Sequence, residues 1–382
     1  MMTKSPYTDV KLEGKDKPLL VAVIANIKEH KDGINFPVPG VADDISADFD
    51  HIETINAIRA AIETDGHQTV FLQANRDLPY SLKEVKPDIC FNIAEGLGGD
   101  AREAQVPALL ELLRIPYTGS RVMANAISLD KTLTKRIWRD RNLPVAPFQE
   151  FIIGDEKLRA DLKFPLFIKP AKEGTGMGVD TKAIIHNYED LMERIQYLLQ
   201  TYKQPALVEK FLNGREFTCG IIGRWDSKKY SRYPDLYNHR LGYHLFPILE
   251  LESEKSVTPG LYSNAAKSLA VGEEGAPTYT CPAQISAELE RKIKHLVVRA
   301  HMLVKAIDYS RVDLRLDDEG NPNLIEINTL PGLTPDYSDL CLEANAEGIS
   351  YTDLILEILY LGASRWGLLR GRELRSQSKP AK

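Results

Sequence analysis

Cysteine is scarce in this chain, which has four cysteines among 382 residues. Cys90, Cys219, Cys281 and Cys341 lie far apart and form no CxxC pair. This spacing excludes a zinc site built from cysteine pairs and a disulfide framework of the kind that short secreted proteins use. We expect all four side chains to act as small apolar residues in a reducing compartment.

Long hydrophobic runs are also missing. No apolar stretch approaches the roughly 18 residues that a transmembrane helix needs. Residues 1–17, MMTKSPYTDVKLEGKDK, lack the apolar core of a signal peptide. We therefore expect a cytoplasmic protein that has no membrane partner.

Basic residues are not in excess. The chain has 48 Lys plus Arg against 54 Asp plus Glu, a net charge of −6, so its composition does not favour nucleic acid as a partner. A nucleotide can still bind, because local lysines and a metal decide this and the total charge does not. With 43% hydrophobic and 27% charged residues, the composition is that of a globular protein, and the length predicts two or three domains.

Strand and helix patterns alternate in the first third of the chain. PLLVAVIAN, QTVFLQA and PDICFNIAE have the pattern of buried strands, and the alternation predicts a wound α/β domain with a parallel sheet over residues 18–120. We expect a second α/β unit over 121–205, a more β-rich unit over 206–360, and a basic polar tail over 361–382 that frays. Residues 224–281, rich in Pro, Gly, Ser and Tyr, predict a long irregular segment that serves as a lid.

Two carboxylates and an amide lie on neighbouring predicted strands. Asp313, in RVDLRLDD, and Glu326, in NLIEINTL, are separated by a short turn, and Asn328 shares a strand face with Glu326. Oxygen ligands of this kind suit Mg²⁺. A solvated acidic hairpin is the alternative. The metal site is favoured because two positions of an otherwise apolar strand, Glu326 and Asn328, are polar.

A glycine-rich turn follows the apolar strand FPLFIKP. Lys169 closes the strand, and the turn EGTGMG runs from Glu173 to Gly178. Glycines let backbone N–H groups approach phosphate oxygens, and a lysine offsets their charge. The turn lacks both the GxxxxGK[ST] spacing and the GxGxxG position, so taken alone it is more often a plain loop.

The segment ALVEKFLNGREFTCGIIG carries Glu209 and Glu216 on either side of an Asn-Gly turn. One carboxylate could accept a hydrogen bond from the adenine amino group and the other from ribose hydroxyls. Taken alone, a pattern of this kind is more often a surface hairpin.

Together, these features occur in an order that resembles the ATP-grasp enzymes of the D-alanine–D-alanine ligase family, over roughly residues 18–360. The resemblance rests on five segments: CFNIAEGLGGDAREAQVPALLELLRIPYTGS, NAISLDKTLTKRIW, FIKPAKEGTGMGV, VEKFLNGREFT and RVD…EINTLPGLT. It implies an α/β fold of ATP-grasp, three-subdomain architecture, with an N-terminal wound parallel sheet and an α+β C-terminal part. It also implies ATP, two Mg²⁺ ions with Mn²⁺ as a substitute, small amino-acid or peptide substrates, and a homodimer as one possible assembly.

The resemblance also assigns roles residue by residue. The phosphate contacts would be Lys131, Lys169 and, on the omega loop, Lys267. The flap over the triphosphate would consist of Glu173, Gly174, Thr175 and Gly176. The adenosine contacts would be Glu209, Glu216 and the backbone of Lys210 and Leu212. The metal ligands would be Asp313, Glu326 and Asn328. The catalytic groups would be Arg311 and the backbone of Gly332, which stabilise an oxyanion, together with Lys267.

The chain departs from the family at its substrate sites. Glu95 stands where the family has a histidine, Arg102 occupies a normally small position, and Ser268 replaces a tyrosine after the omega-loop lysine. The serine that meets the second substrate is displaced by one residue, which leaves Tyr337 and Ser338 as candidates.

The family's glycine-rich loop, which holds the first substrate's ammonium group, is absent. Glu29, Asp48 and Glu53 are the alternatives for that contact. These departures predict an ADP-forming ligase with substrates other than two D-alanines; a true D-alanine–D-alanine ligase and an ATP-grasp phosphotransferase are the alternatives. Arg311 beside the EINTLPG strand favours acyl transfer over phosphotransfer, and the complete metal triad argues against a nucleotide-binding protein without turnover.

Overall fold

The described parts of the chain form three sheets with helices packed against them. In this computed structural model the described residues are 18–27, 44, 47–96, 98–231, 233–261, 263–267, 269 and 272–368. The α/β fold class and the N-terminal parallel sheet that the sequence predicts are confirmed.

The first sheet is parallel, with strand order β2-β1-β3. Its elements are β1 (Leu20–Ala25), α1 (Ile52–Glu63), β2 (Gln68–Gln73), α2 (Leu78–Val85), β3 (Ile89–Asn92) and α3 (Gln105–Leu113). The central strand β1 is apolar along its whole length, and residues 21–25 are fully buried. An apolar run without alternation is the pattern of a parallel strand covered on both faces.

The second sheet is antiparallel, with order β4-β7-β5-β6. It contains β4 (Phe148–Phe151), β5 (Leu166–Pro170), β6 (Ile184–Ile185) and β7 (Ala206–Lys210), with α6 (Tyr188–Tyr202) packed on it. The expected domain boundary at residue 205 falls inside this sheet, because β7 lies between β4 and β5. The boundary was placed where the composition became β-rich, and composition does not reveal the pairing partner of a strand.

The third and largest sheet has the order β11-β10-β8-β12-β13, with β9 beside β8. Its strands are β8 (Glu216–Gly223), β9 (Tyr243–Leu245), β10 (Leu249–Glu252), β11 (Thr278–Thr280), β12 (Asp308–Leu316) and β13 (Pro322–Asn328). Two short helices, α7 (Ser227–Tyr230) and α8 (Asn264–Lys267), lie in the connections. The expectation of one irregular segment over 224–281 is therefore wrong in part, because three short strands within it extend this sheet.

Three helices cover the large sheet. They are α4 (Val122–Leu129), α5 (Lys131–Asp140) and α9 (Ala287–Leu303). Trp138 of α5 is fully buried and shares a core with Phe217 of β8 and Val297 of α9. The segment NAISLDKTLTKRIWRD contains a helix break at Asp130, whose extended backbone ends α4 and whose carboxylate accepts the Leu133 N–H as the N-cap of α5.

The last helices return to the first sheet. After α10 (Asp339–Ala346), α11 (Tyr351–Arg365) packs on α1, and Ile355, Ile358 and Leu359 share a core with Ile55 and Ile58. Residues 361–365, which the sequence assigned to the basic polar tail, are helical and mostly buried, and Trp366 then donates its indole N–H to the Tyr117 carbonyl at 2.9 Å. Basic residues are frequent in the last part of the chain, so its composition did not reveal the apolar face of this helix.

All four cysteines are free thiols, three of them buried and Cys281 half-buried. No helix in the described ranges is both long and apolar enough to span a bilayer.

Candidate active site

A cleft is lined by residues of both antiparallel sheets and holds about 820 Å³ of open space. Ten residues selected from the sequence line it: Lys131, Lys169, Glu173, Gly176, Glu209, Lys210, Leu212, Glu216, Asp313 and Glu326. Residues that are separated by almost 200 positions in the chain therefore meet at one cavity.

The β12–β13 hairpin supplies the acidic floor of the cleft. Asp313 and Glu326 are directly opposite each other in the strand register, and the Asn328 amide lies 3.2 Å from Asp313. Arg311 donates from Nε and Nη2 to the two Asp313 oxygens, each at 2.9 Å, and its Nη1 lies 3.2 Å from Asp339. The guanidinium thus provides the positive charge that balances this carboxylate.

Two lysines face the second carboxylate of the floor. Lys169 Nζ lies 3.3 Å and Lys131 Nζ 3.8 Å from Glu326 Oε2. Burial would lower the pKa of Lys169, but the Glu326 and Glu209 carboxylates raise it above its ordinary value. The Lys169 ammonium group is therefore positively charged beside the cleft, where it can offset phosphate charge.

A buried ion pair behind the cleft was not found from the sequence. Lys135 is fully buried, with Nζ 2.9 Å from Glu209 Oε2 and 3.1 Å from the Leu324 carbonyl. Burial lowers the pKa of Lys135, and the Glu209 carboxylate opposes this shift. One feature of the sequence could have identified Lys135. It follows Lys131 by one helical turn, which puts both lysines on the same face of α5.

Apolar walls and one arginine complete the cleft, and the sequence did not identify them either. The walls are Phe167, Met177, Val179, Leu261 and Ile325. Arg315 Nη1 lies 3.3 Å from Glu216 Oε2, and the same guanidinium donates to the Gly260 carbonyl at 3.2 Å. Flat apolar surface next to a paired carboxylate suits an aromatic base with an attached sugar.

The flap forms a tight turn over one end of the cleft. Lys131 donates to the Glu173 carbonyl, and the Met177 N–H donates to the Gly174 carbonyl at 2.9 Å. Thr175 has a φ of +48°, a left-handed conformation that is uncommon for a residue with a Cβ. The predicted phosphate-binding turn is thus hydrogen-bonded to Lys131, the lysine that also faces Glu326.

Several predicted residues lie outside this cleft or outside the described structure. Tyr337 is 38% exposed, and the Ser338 hydroxyl accepts the Thr334 N–H at 2.9 Å, close to Gly332. Glu53 is exposed at the start of α1. Glu29 and Ser268 lie outside the described residues, and only the backbone of Lys267, in α8, lies within them.

Arg102 is buried within a group of carboxylates beside the flap. Its Nη2 lies 2.6 Å from Asp48 and 3.5 Å from Glu173, and its Nη1 lies 3.4 Å from Glu95. Burial raises the pKa of Glu95, Glu103 and Glu173, and that of Glu103 reaches about 7. For these three glutamates the effect of burial outweighs the nearby Arg102 charge, so they hold protons more tightly than carboxyl groups in water.

This cluster predicts that stability falls as the pH rises from about 4.5 to about 7. The pKa of Glu103 is higher in the folded than in the unfolded chain, so its contribution is fully present below the unfolded pKa and is lost as the pH passes the folded pKa. Glu103→Gln should therefore stabilise the protein at pH 8 by about 1–3 kcal/mol and leave it unchanged at pH 4.5. Urea unfolding across this pH range measures the effect, with Glu84→Gln on the exposed face of α2 as the control; equal shifts at both pH values would contradict it.

Comparison with known proteins identifies the family of this chain. Residues 137–360 match the family model described as D-ala D-ala ligase C-terminus. The D-alanine–D-alanine ligase of Methylococcus capsulatus is 32% identical over 305 residues, which cover 79% of this chain and 88% of that protein. The chain belongs to the D-alanine–D-alanine ligase family.

The chain is also similar to two other proteins over most of its length. An uncharacterized protein of Sinorhizobium fredii, y4sG, is 31% identical over 319 residues, covering 81% of this chain and 88% of its own. The crystal structure of D-alanine–D-alanine ligase from Bacillus anthracis complexed with ATP has a TM-score of 0.66 and 23% identity, covering 91% of this chain and 99% of that one. The shared fold is the ATP-grasp fold that the sequence predicted.

Membership of the family makes the chain an ATP-dependent, ADP-forming carboxylate–amine ligase that acts on small molecules and needs a divalent metal ion. Asp313 and Glu326 lie opposite each other on one strand pair, and carboxylate oxygens are ligands of the kind that such an ion takes. Asn328 lies beside them, with its Nδ2 donating to Asp313 Oδ2 at 3.2 Å. Within the described residues no three His, Cys, Asp or Glu side chains are grouped as a metal site. The fit therefore depends on two carboxylates and one amide.

Proposed function

We propose that this ligase activates a carboxylate as an acyl phosphate with ATP and two Mg²⁺ ions, and that its substrates differ from a pair of D-alanines. The observation that carries the reaction is the convergence of the two lysines, the flap and the Asp313–Glu326 pair on one cleft. Phosphoryl transfer depends mainly on positioning and on charge compensation, and these groups supply both.

The nucleotide is assigned to the part of the cleft between the apolar walls. Glu209 and Glu216 line this part, and each is held by a cation, Lys135 and Arg315 respectively. A carboxylate fixed in this way is oriented to accept hydrogen bonds from an amino group or from hydroxyls. The Lys210 N–H already donates to the Pro147 carbonyl at 2.9 Å, so a contact from Lys210 to the base cannot use that N–H.

The metal ions are assigned to Asp313, Glu326 and Asn328. These residues would hold the ions, which would supply positive charge to offset the charge of the phosphate groups. Lys131 and Lys169 add positive charge on the same side, because both face Glu326. Arg311 is buried next to Asp313 and can donate to an oxyanion when the amine attacks the acyl group.

A change of substrates is supported by the surroundings of Glu95 and Arg102. Here a buried arginine is surrounded by Asp48, Glu95 and Glu173 at the turn where the family has a histidine and a small residue. The second candidate is a true D-alanine–D-alanine ligase. It is favoured by the names of relatives such as the ligases of Desulfotalea psychrophila and Methylococcus capsulatus.

We expect D-alanine alone to have a kcat/KM at least about tenfold below that of the best substrate pair, because one lost charged partner at a buried site costs roughly 2–5 kcal/mol. The test combines amino acids and small peptides with ATP and measures phosphate release and product mass. Reactions without an acceptor amine serve as the control for hydrolysis. If D-alanine gives the highest kcat/KM by a wide margin, the second candidate is correct.

A further inference from the structure

Polar side chains join the flap to the N-terminal parallel-sheet unit. Glu173, the first residue of the flap, accepts a hydrogen bond from Gln204 Nε2 at 2.6 Å and lies 3.5 Å from Arg102 Nη2. The Asp48 carboxylate packs so closely on Gly174 that a Cβ there would lie 3.0 Å from Oδ2. The flap thus rests on a surface formed by another part of the chain.

Arg102 is the centre of this junction. Its side chain is 7% exposed, its Nη1 donates to the Glu95 carbonyl at 2.9 Å, and its Nη2 is 2.6 Å from Asp48. Glu95 and Asp48 belong to the N-terminal unit, whereas Glu173 belongs to the flap. A guanidinium suits this position because its planar fork reaches several acceptors in fixed directions, which an ammonium group cannot do.

Asp44 provides a second and separate connection. Its Oδ2 accepts the Gly178 N–H at 3.0 Å, and both carboxylate oxygens lie within 3.1 Å of the Tyr202 hydroxyl. Gly178 has a φ of +69°, and a Cβ there would lie 2.6 Å from Pro170, so the backbone turns sharply at this point. Asp44 and Arg102 therefore fix the two ends of the flap.

We infer that Arg102 is a positioning residue that holds the flap closed, and that Asp44 fixes the other end. Only the expected effect of an open flap on the reaction rests on the proposed function. The contacts of Arg102 and Asp44 with the flap do not depend on the identity of the substrates. An acyl phosphate is lost when water reaches it, so a loosely held flap would release phosphate without forming an amide.

The first test measures hydrogen exchange of the peptide 171–183 by mass spectrometry in Arg102→Lys, Asp44→Ala and the wild type. We expect exchange of this peptide to rise about tenfold in each variant, because local opening governs exchange. Arg365→Lys is the matched control, since Arg365 has the same 7% exposure and pairs with buried Asp308 at 2.9 Å, away from the flap. Unchanged exchange in Arg102→Lys and Asp44→Ala, or an equal rise in Arg365→Lys, would overturn the inference.

The second test measures the ratio of phosphate released to amide formed, once a substrate pair is known. We expect the ratio to stay near one in the wild type and in Arg365→Lys and to rise several-fold in Arg102→Lys, with KM for ATP changed less than kcat. A ratio that stays near one in Arg102→Lys would also overturn the inference. Failure of the wild type to form an amide from any pair counts against the proposed function alone, because the exchange test does not need turnover.

Discussion

Replacing Glu326 by Gln or Asp313 by Asn should lower amide formation by at least about 100-fold, because each change removes a charge that faces the metal ions and keeps the side-chain volume. The two carboxylates are opposite each other on β12 and β13, and neither substitution removes an apolar contact of the core. The fold should therefore survive while turnover is lost. Glu326→Gln also leaves Lys131 and Lys169 without their nearest shared carboxylate oxygen.

Steady-state rates with ATP, together with far-UV circular dichroism of both variants, separate loss of chemistry from loss of structure. Glu319→Gln is the matched control, because Glu319 is an exposed carboxyl in the turn of the same hairpin. Raising the Mg²⁺ concentration should recover part of the rate in the variants, since weakened ligation raises the concentration needed. Near-normal rates in both variants at ordinary Mg²⁺ would remove these residues from the metal site.

Lys135→Met should lower the free energy of unfolding by about 3 kcal/mol. Removing one partner of a buried ion pair leaves the other charge without compensation, at a typical cost of about 3–5 kcal/mol. Lys169, 3.8 Å from the other oxygen of Glu209, reduces this penalty. The variant should also raise the KM for ATP, because Glu209 loses the contact that orients it toward the cleft.

Urea unfolding of Lys135→Met, Glu209→Gln and the double variant forms a double-mutant cycle. The double variant should be more stable than Lys135→Met alone, because a neutral amide replaces the uncompensated carboxylate. Lys292→Met, at an exposed position of α9 paired with Glu288, serves as the control and should change stability by less than about 0.5 kcal/mol. If Lys135→Met lowers the free energy of unfolding by less than about 1 kcal/mol, the Lys135–Glu209 pair does not stabilise this part of the structure.

The sequence predicted those parts of the site that depend on local order. Asp313 and Glu326 were placed together because a short turn connects two strands, and that turn determines which residues face each other. The glycine-rich turn after Lys169 was visible for the same reason, since its residues are consecutive. The buried strand β1 was evident because a short, uninterrupted apolar run rich in branched residues is typical of a strand covered on both faces.

The features that the sequence did not predict depend on contacts between distant segments. Lys135 is a lysine in an amphipathic helix, and nothing local distinguishes it from an exposed lysine until Glu209 is placed beside it. The guanidinium of Arg102 reaches Asp48 and Glu173, which are 54 and 71 residues away. Composition likewise did not reveal that β7 pairs with β4 and β5, because strand pairing is decided by the partner strand.

The position of α11 has a consequence for the synthesis of the protein. Its apolar face covers α1 and completes a core in which about half of the other buried members come from the first hundred residues. The ribosome adds about 5–20 residues per second, so α11 is synthesised on the order of tens of seconds after α1. During that time we expect the apolar face of α1 to stay uncovered, so the core around α1 is completed only after α11 has been synthesised.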